Sequence, residues 1–181
     1  SKLTFNGCRV NSQPRVSLWF GMVLMVFNEL HERTAIVTGA SQGIGRTTAE
    51  TLAAHGMSVV LADLNEARGR RIEAQITSTG GQALFVPVDV GTSDGCKHMI
   101  DAALEHFGGI YALVNNARWH PHEMLVDVTE ADWDRSQDVL LKSHFLACKY
   151  SIPHMLSGGG GSIVGISSGH ATQSSAEDGP Y

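Results

Sequence analysis

The chain has few cysteines, no excess of positive charge and no apolar run of membrane-spanning length. Its 181 residues include three widely separated cysteines, which argue against a disulfide framework and against a C-x-x-C redox or metal pair. The net charge of -5 offers no basic surface to nucleic acid or to an anionic membrane. We therefore expect one globular domain in the cytoplasm, a reducing compartment, with a small molecule as its partner.

The sequence contains nine histidines, of which His120 and His122 lie close together on either side of a proline. Zinc sites combine histidine with cysteine or carboxylate ligands at short, regular spacing. No such cluster accompanies this pair in the sequence. We interpret the pair as part of a polar loop and predict no metal.

The longest uncharged apolar segment covers residues 16–27. It is shorter than the roughly twenty residues that a membrane-spanning helix needs, and no small-residue cleavage site of a signal peptide follows it. Two interpretations remain, an appended leader without function and a membrane anchor, and we favour the leader. Residues 1–32 are assigned to this leader and residues 33–181 to one nucleotide-binding domain.

From residue 33 onward, short apolar runs alternate with segments of helical periodicity. In residues 93–107, apolar side chains recur at a spacing of three or four, and Gly108 ends the pattern. Such alternation is typical of βαβ units, which build a doubly wound, Rossmann-type parallel sheet with helices on both faces. Strands are predicted over residues 34–38, 58–63, 83–88, 111–115 and 162–167, and helices over residues 43–55, 65–78, 93–107 and 129–155.

A glycine-rich segment, residues 38–45, directly follows the first predicted strand and opens the first helix. Gly39 permits a tight turn, Gly43 lets backbone N–H groups approach a pyrophosphate, and Gly45 allows the helix to pack close to the strand. The helix start adds unpaired N–H donors and the positive end of the helix dipole. The segment predicts a phosphate-binding turn for a dinucleotide; the alternative is an ordinary glycine-rich connection.

Asp63 ends the second predicted strand, eighteen residues after Gly45. At that place a carboxylate accepts hydrogen bonds from the adenosine ribose and repels a 2′-phosphate. Neither Gln42 nor Leu64 is basic, so neither side chain would attract that phosphate. The pattern favours NAD over NADP, and the alternative for Asp63 is a solvated acid at a strand end.

Several motifs taken together resemble those of the short-chain dehydrogenase/reductase family, in particular single-domain members such as oxoacyl-carrier-protein reductases. The pattern T-G-x-x-x-G-x-G begins at Thr38, and Asn115-Asn116-Ala117 ends the fourth predicted strand. Asp89-Val90 resembles the pair that holds the adenine ring, and residues 161–168 resemble the strand that leads to the catalytic serine. The resemblance covers residues 33–181 and implies a Rossmann-type sheet of about seven strands, of which this chain has five.

The resemblance implies an NAD(H)-dependent oxidoreductase that interconverts a secondary alcohol and a carbonyl. Ser168 would donate a hydrogen bond to the substrate oxygen, and Tyr181, thirteen residues later, would be its general acid and base. The alternatives are a capping serine and a terminal tyrosine without function. The implied cofactor contacts are Gly39, Ser41, Gln42, Gly43, Ile44, Gly45, Asp63, Leu64, Asp89, Val90, Asn115 and Ala117.

The chain departs from the family pattern at three places. Leu140 stands where the family has an asparagine that orders a proton-relay water, and Arg118 stands where a glycine lets the backbone pass the cofactor. The family's lysine, four residues after the tyrosine, has no counterpart because Tyr181 is the last residue. We therefore expect this chain to be a fragment without dehydrogenase activity, whose strand over residues 162–167 is an unpaired, apolar edge.

Two rival interpretations follow from these departures. One is a non-catalytic dinucleotide sensor or partner-binding protein of the same fold, which Leu140 and Arg118 would suit. The other is an inert product without a stable fold. For the intact protein the resemblance implies a homodimer or homotetramer.

Overall fold

The structure, a computed structural model, describes residues 29–172 together with Pro180 and Tyr181. Most of the segment assigned to a leader, residues 1–28, therefore lies outside the described residues. Within the described part, no helix is both long and apolar enough to cross a membrane.

The described chain contains five strands and five α-helices, with one helix between successive strands except before the last strand, where two helices follow one another. The strands are β1 (Thr34–Thr38), β2 (Ser58–Asp63), β3 (Gln82–Pro87), β4 (Ala112–Asn115) and β5 (Ser162–Gly165). The helices are α1 (Gly43–Ala54), α2 (Glu66–Ser78), α3 (Ser93–Phe107), α4 (Glu130–Gln137) and α5 (Ser143–Ser157). A π-helical turn, Asp138–Lys142, joins α4 to α5, and a short 3-10 turn, Gly169–Ala171, follows β5.

The five strands form one parallel sheet in the order β3-β2-β1-β4-β5. The strand order reverses between β1 and β4, because the chain moves outward from β1 to β3 and then crosses back to β4. In open parallel sheets this reversal leaves a crevice at the carboxyl ends of the strands, where ligands bind. The predicted doubly wound α/β fold is confirmed.

Two hydrophobic clusters cover the two faces of the sheet. The first includes Ile36, Val60, Leu113 and the inner side of α3, and the second includes Val37, Leu61 and residues of α1 and α2. Every residue of β1 is buried, as expected for a central strand between two layers of helices.

The helix starts follow the capping residues that the sequence offers. Asn65, Thr92 and Thr129 each accept a hydrogen bond from a backbone N–H of the helix that follows them. Gly108 ends α3 in the left-handed conformation. The bounds of β1 and β2 are those predicted, and the bounds of β3, β4 and β5 differ from the predicted ones by one or two residues, as is usual at element ends.

The prediction of one continuous helix over residues 129–155 is wrong. The structure divides it at the π-helical turn, where the N–H of Ser143 donates to the carbonyl of Asp138, five residues back. A π turn inserts one residue into the helical repeat and rotates the faces that follow it. The spacing of apolar residues alone does not reveal such an insertion.

The β5 strand lies at the edge of the sheet and pairs with β4 alone among the described strands. Ile163 and Val164 point to opposite faces of the sheet and are 41% and 46% exposed. The predicted apolar edge is therefore present in the described part of the chain.

Candidate functional site

One cavity of about 800 Å³ opens at the carboxyl ends of the strands. Its walls come from the segments that follow all five strands, together with the π-helical turn and the start of α5. Its lining includes Gly39, Gln42, Gly43, Ile44, Asp63, Leu64, Asp89, Val90, Ala117, Ser168 and Tyr181, all of them predicted site residues.

The glycine-rich turn after β1 needs its glycines for two different reasons. Gly39 and Gly43 have φ angles of 64° and 53°, in the left-handed region that side chains disfavour. At Gly45 a Cβ atom would overlap the carbonyl oxygen of Gly39, so the helix could not lie so close to the turn. The turn therefore brings the start of α1 directly over the end of β1.

The start of α1 differs from those of α2, α3 and α4 because no side chain caps it. Gln42 occupies the cap position without a side-chain hydrogen bond, and no acidic residue lies in the first turn. The first N–H groups of an α-helix have no partner within the helix. Together with the dipole of α1, these donors offer an anion site at the cavity wall.

Asp63 connects the glycine-rich turn to the start of α2. Its Oδ2 accepts the backbone N–H of Ser41 at 3.0 Å, and its Oδ1 accepts that of Asn65 at 2.8 Å. Each carboxylate oxygen can accept a further hydrogen bond, so Asp63 can still receive ribose hydroxyls. Arg68 of α2 donates to the Gln42 side chain at the rim of the cavity, a neighbouring cation that the sequence analysis missed.

Asp89 lies opposite α4 and is paired with a cation. Its Oδ1 accepts both the N–H of Gly91 and Nη2 of Arg135, each at 2.9 Å. A Cβ on Gly91 would overlap the guanidinium, so this glycine makes room for the pair. Burial, aided by the charge of Asp89, raises the pKa of the Cys96 thiol to about 11.

The Asn-Asn-Ala segment after β4 holds the glycine-rich turn in place through hydrogen bonds to Thr38. The N–H groups of Asn116 and Ala117 donate to Thr38 Oγ1 at 2.9 and 3.0 Å, and Asn116 Nδ2 donates to the Thr38 carbonyl at 2.9 Å. Asn115 is buried, and its Nδ2 lies 3.9 Å from Cys148 Sγ.

Ser168 lies where β5 leads into the 3-10 turn. Its Oγ accepts the backbone N–H of His170 at 3.2 Å, which is the capping role considered for it. A serine hydroxyl that accepts in this way still has its own hydrogen to donate. Ser168 therefore caps the turn and lines the cavity at once.

Tyr181 is held among polar aromatic rings at the same end of the cavity. His120 stacks on its ring with the centroids 4.6 Å apart, and His170 approaches edge-on at 5.4 Å. The Arg118 guanidinium lies 5.8 Å from the centre of the ring. The structure thus brings Ser168 and Tyr181 to one cavity, with Arg118 beside them.

Leu140 belongs to the π-helical turn and lines the cavity, as does His144 one turn later. Burial lowers the pKa of His144 below its ordinary value of 6.5. Trp133, seven residues before Leu140, does not line the cavity and is 42% exposed.

Three predicted contacts do not line the cavity. Ser41, Gly45 and Asn115 lie behind its wall and shape it through the contacts given above. The sequence analysis missed other lining residues, among them Asn116, Trp119, Arg135, Val139, His144 and Ile166. No group of three or more potential metal ligands occurs among the described residues.

The uncapped helix, its glycine turn and the acid at the end of β2 define a dinucleotide-binding α/β protein. A sequence profile of short chain dehydrogenases matches residues 33–181. The chain belongs to the short-chain dehydrogenase family of oxidoreductases.

Characterised relatives are similar over most of this chain. Trans-4-hydroxycyclohexanecarboxylate dehydrogenase of Sinomonas cyclohexanicum is 38% identical over 149 residues, which are 79% of this chain and 57% of that protein. Glucose 1-dehydrogenase 2 of Bacillus subtilis is 36% identical over 152 residues, 80% of this chain and 57% of that protein. The chain spans just over half the length of these relatives.

Solved structures show the same fold. A short chain dehydrogenase/reductase from Burkholderia phymatum, in complex with NAD, superposes with a TM-score of 0.81 at 30% identity, covering 84% of this chain and 55% of that one. A metagenomic short-chain oxidoreductase in complex with NADP gives a TM-score of 0.79 at 32% identity, covering 84% and 69%.

Proposed function

We propose that the protein interconverts a secondary alcohol and a carbonyl compound with NAD(H). One observation carries the proposal: an uncapped helix start on a glycine turn shares a cavity with Ser168 and Tyr181. An open anion site alone suits any nucleotide-binding protein. A serine and a tyrosine at the far end of the same cavity add groups that can handle a proton.

The residues present fit a dinucleotide. The cavity of about 800 Å³ is large enough, and the donors at Gly43 and Ile44 suit a pyrophosphate. Asp63 suits the adenosine ribose, and Asp89 suits the amino group of adenine. When bound, the nicotinamide ring supplies the site that gives or takes a hydride.

Ser168 and Tyr181 would manage the substrate oxygen. In alcohol oxidation, Tyr181 as the phenolate would take the hydroxyl proton and become the phenol. The hydride would leave the carbinol carbon for the oxidised nicotinamide, and the carbon–oxygen bond would become a carbonyl. The Ser168 hydroxyl, whose hydrogen is not used by His170, donates to the substrate oxygen and stabilises its developing charge. These roles are proposed for the intact protein.

NAD is the proposed cofactor, with NADP as the alternative. The carboxylate of Asp63 would repel a 2′-phosphate on the ribose that it binds, but Arg68 beside Gln42 supplies a cation close by. The relative affinity for the two cofactors is measured by titrating NADH and NADPH against the wild type, Asp63→Ser and Asp63→Ser/Arg68→Met. We expect NADH to bind at least about tenfold tighter to the wild type.

Removal of the carboxylate should narrow this preference by improving the binding of NADPH, and the second substitution should remove the gain. Equal or tighter binding of NADPH to the wild type would refute the choice of NAD.

A second candidate function is a non-catalytic dinucleotide sensor of the same fold. Leu140 favours it, because a leucine in the cavity wall can neither donate nor accept a hydrogen bond. Turnover of a secondary alcohol by the full-length protein, abolished by Tyr181→Phe, would exclude the sensor.

We also propose that the intact protein is a homo-oligomer in the cytoplasm. The support for the oligomer is apolar surface on the π-helical turn and α5, where Leu141, Phe145 and Leu156 are more than 60% exposed. Exposed apolar surface of this kind marks interaction sites. Light scattering on the full-length protein measures the mass of the assembly.

A further inference from the structure

Arg118 is a cation in the cavity wall whose charge no described carboxylate balances. The nearby Arg135 is paired with Asp89, and Arg46 and Arg70 have glutamate partners on their own helices. Arg118 instead contacts a histidine nitrogen and the Tyr181 ring. A charge left without a counter-ion in a ligand cavity is suited to an anionic ligand.

The guanidinium is held in place rather than left free. His120 is buried, and its Nδ1 lies 3.1 Å from the carbonyl oxygen of Pro121, which can only accept. Nδ1 therefore carries the hydrogen, and Nε2 of the neutral ring accepts from Arg118 Nη1 at 3.2 Å. His120 also stacks on Tyr181, so one histidine positions both side chains.

This arrangement leaves most of the guanidinium donors available. Of the five N–H groups of an arginine, one is used by His120. The remaining donors form a planar fork, which matches the two oxygens of a carboxylate better than a compact point charge does. Other cavity groups at this end, Trp119 and His144, carry no charge at neutral pH.

Two anions could reach Arg118, the pyrophosphate of the cofactor and a group on the substrate. The pyrophosphate already has the uncapped donors at the start of α1. Arg118 instead lies beside Tyr181, the proposed acid and base, with 5.8 Å between guanidinium and ring centre. The position favours the substrate as the source of the anion.

We propose that Arg118 binds a carboxylate on the substrate, so that the substrates are hydroxy acids and the matching oxo acids. This rests on the proposed function, which it narrows. In the oxidation, the hydroxyl proton goes to Tyr181, the hydride goes to NAD⁺, and the alcohol becomes a ketone. The carboxylate remains ionised and unchanged, held by Arg118.

The test compares β-hydroxybutyrate with its primary amide, which has the same shape without the charge. Dissociation constants are measured by calorimetry on the protein saturated with NADH, for the wild type and Arg118→Met. Arg71→Met, an exposed arginine of α2, is the matched control. Because Arg118 is exposed, we expect a preference of about tenfold for the acid, lost in Arg118→Met and kept in Arg71→Met.

Absence of a preference in the wild type, or its persistence in Arg118→Met, would overturn the inference. If Arg118→Met instead weakens NADH itself about tenfold, the anion is the pyrophosphate and the substrate assignment is wrong. If the wild type does not bind NADH, the proposed function fails, and the same acid and amide titrated without cofactor decide the role of Arg118 separately.

Discussion

Arg135 and Asp89 form an ion pair at 2.9 Å in the cavity wall, joining α4 to the end of β3 across 46 positions of the sequence. Both side chains are about one-third exposed, so the pair adds little to stability. The pair instead orients the Asp89 carboxylate, because Oδ1 is occupied and Oδ2 remains available to accept a hydrogen bond from a ligand.

Replacement of Arg135 by methionine should therefore weaken the recognition of adenine. We expect the affinity for NADH to fall about three- to tenfold. The affinity for the analogue with hypoxanthine in place of adenine should change less, since that base has no amino group to donate. Equal losses for both dinucleotides would show that Arg135 acts only on the fold.

Replacement of Leu140 by asparagine should restore a polar group at the cavity wall. If the protein is an enzyme, turnover by the full-length form should rise about tenfold or more, a typical gain from a proton-transfer group. The affinity for NADH should stay within about twofold, because the glycine turn lies elsewhere. Normal family rates with Leu140 intact would show that the relay runs through other groups.

Replacement of Gly45 by alanine should destabilise the fold, because the new Cβ meets the Gly39 carbonyl and the Asn116 side chain. We expect a loss of about 1 to 3 kcal/mol in the free energy of unfolding, measured by urea titration. Gly109→Ala is the matched control, since nothing lies within 4 Å of its Cβ position. A neutral Gly45→Ala would contradict the close packing of turn and helix.

His144 should make the fold sensitive to acid. Because burial lowers its pKa, the unfolded chain binds a proton at a higher pH than the folded chain does. Its contribution to stability is present above about pH 6.5 and is lost as the pH falls further. The free energy of unfolding should therefore decline less steeply below that pH in His144→Gln than in the wild type.

The matched control for the loss of one histidine is His98→Gln, on the exposed side of α3. If the free energy of unfolding of His144→Gln declines with falling pH as steeply as that of the wild type, His144 is not shielded from water.

The sequence was sufficient to predict the parallel sheet, because each of its strands is a short apolar run followed by a segment of helical periodicity. It also placed Asp63, whose position at a strand end is a local feature. The Arg135–Asp89 pair and the Thr38–Asn116 contacts could not be predicted, because they join segments far apart in the chain. The π-helical turn escaped prediction because an inserted residue changes geometry without changing composition.

The position of Arg118 shows the same limit. The sequence marked it as a departure from the family glycine, but not as a neighbour of Tyr181. Its support by His120 and its place beside Tyr181 became apparent only from the fold.

The most direct test of the account is calorimetric titration of NADH against the wild type, Ile44→Glu and Thr51→Glu. Ile44 is 63% exposed and lines the cavity at the start of α1, whereas Thr51 is exposed on the same helix outside it. Because both side chains are exposed, a carboxylate at either site should leave the fold intact, but at residue 44 it would repel a pyrophosphate. We predict saturable binding of one NADH to the wild type and to Thr51→Glu, with at least about tenfold weaker binding to Ile44→Glu. No saturable binding to the wild type, or equal binding to all three, would contradict the assignment of this cavity.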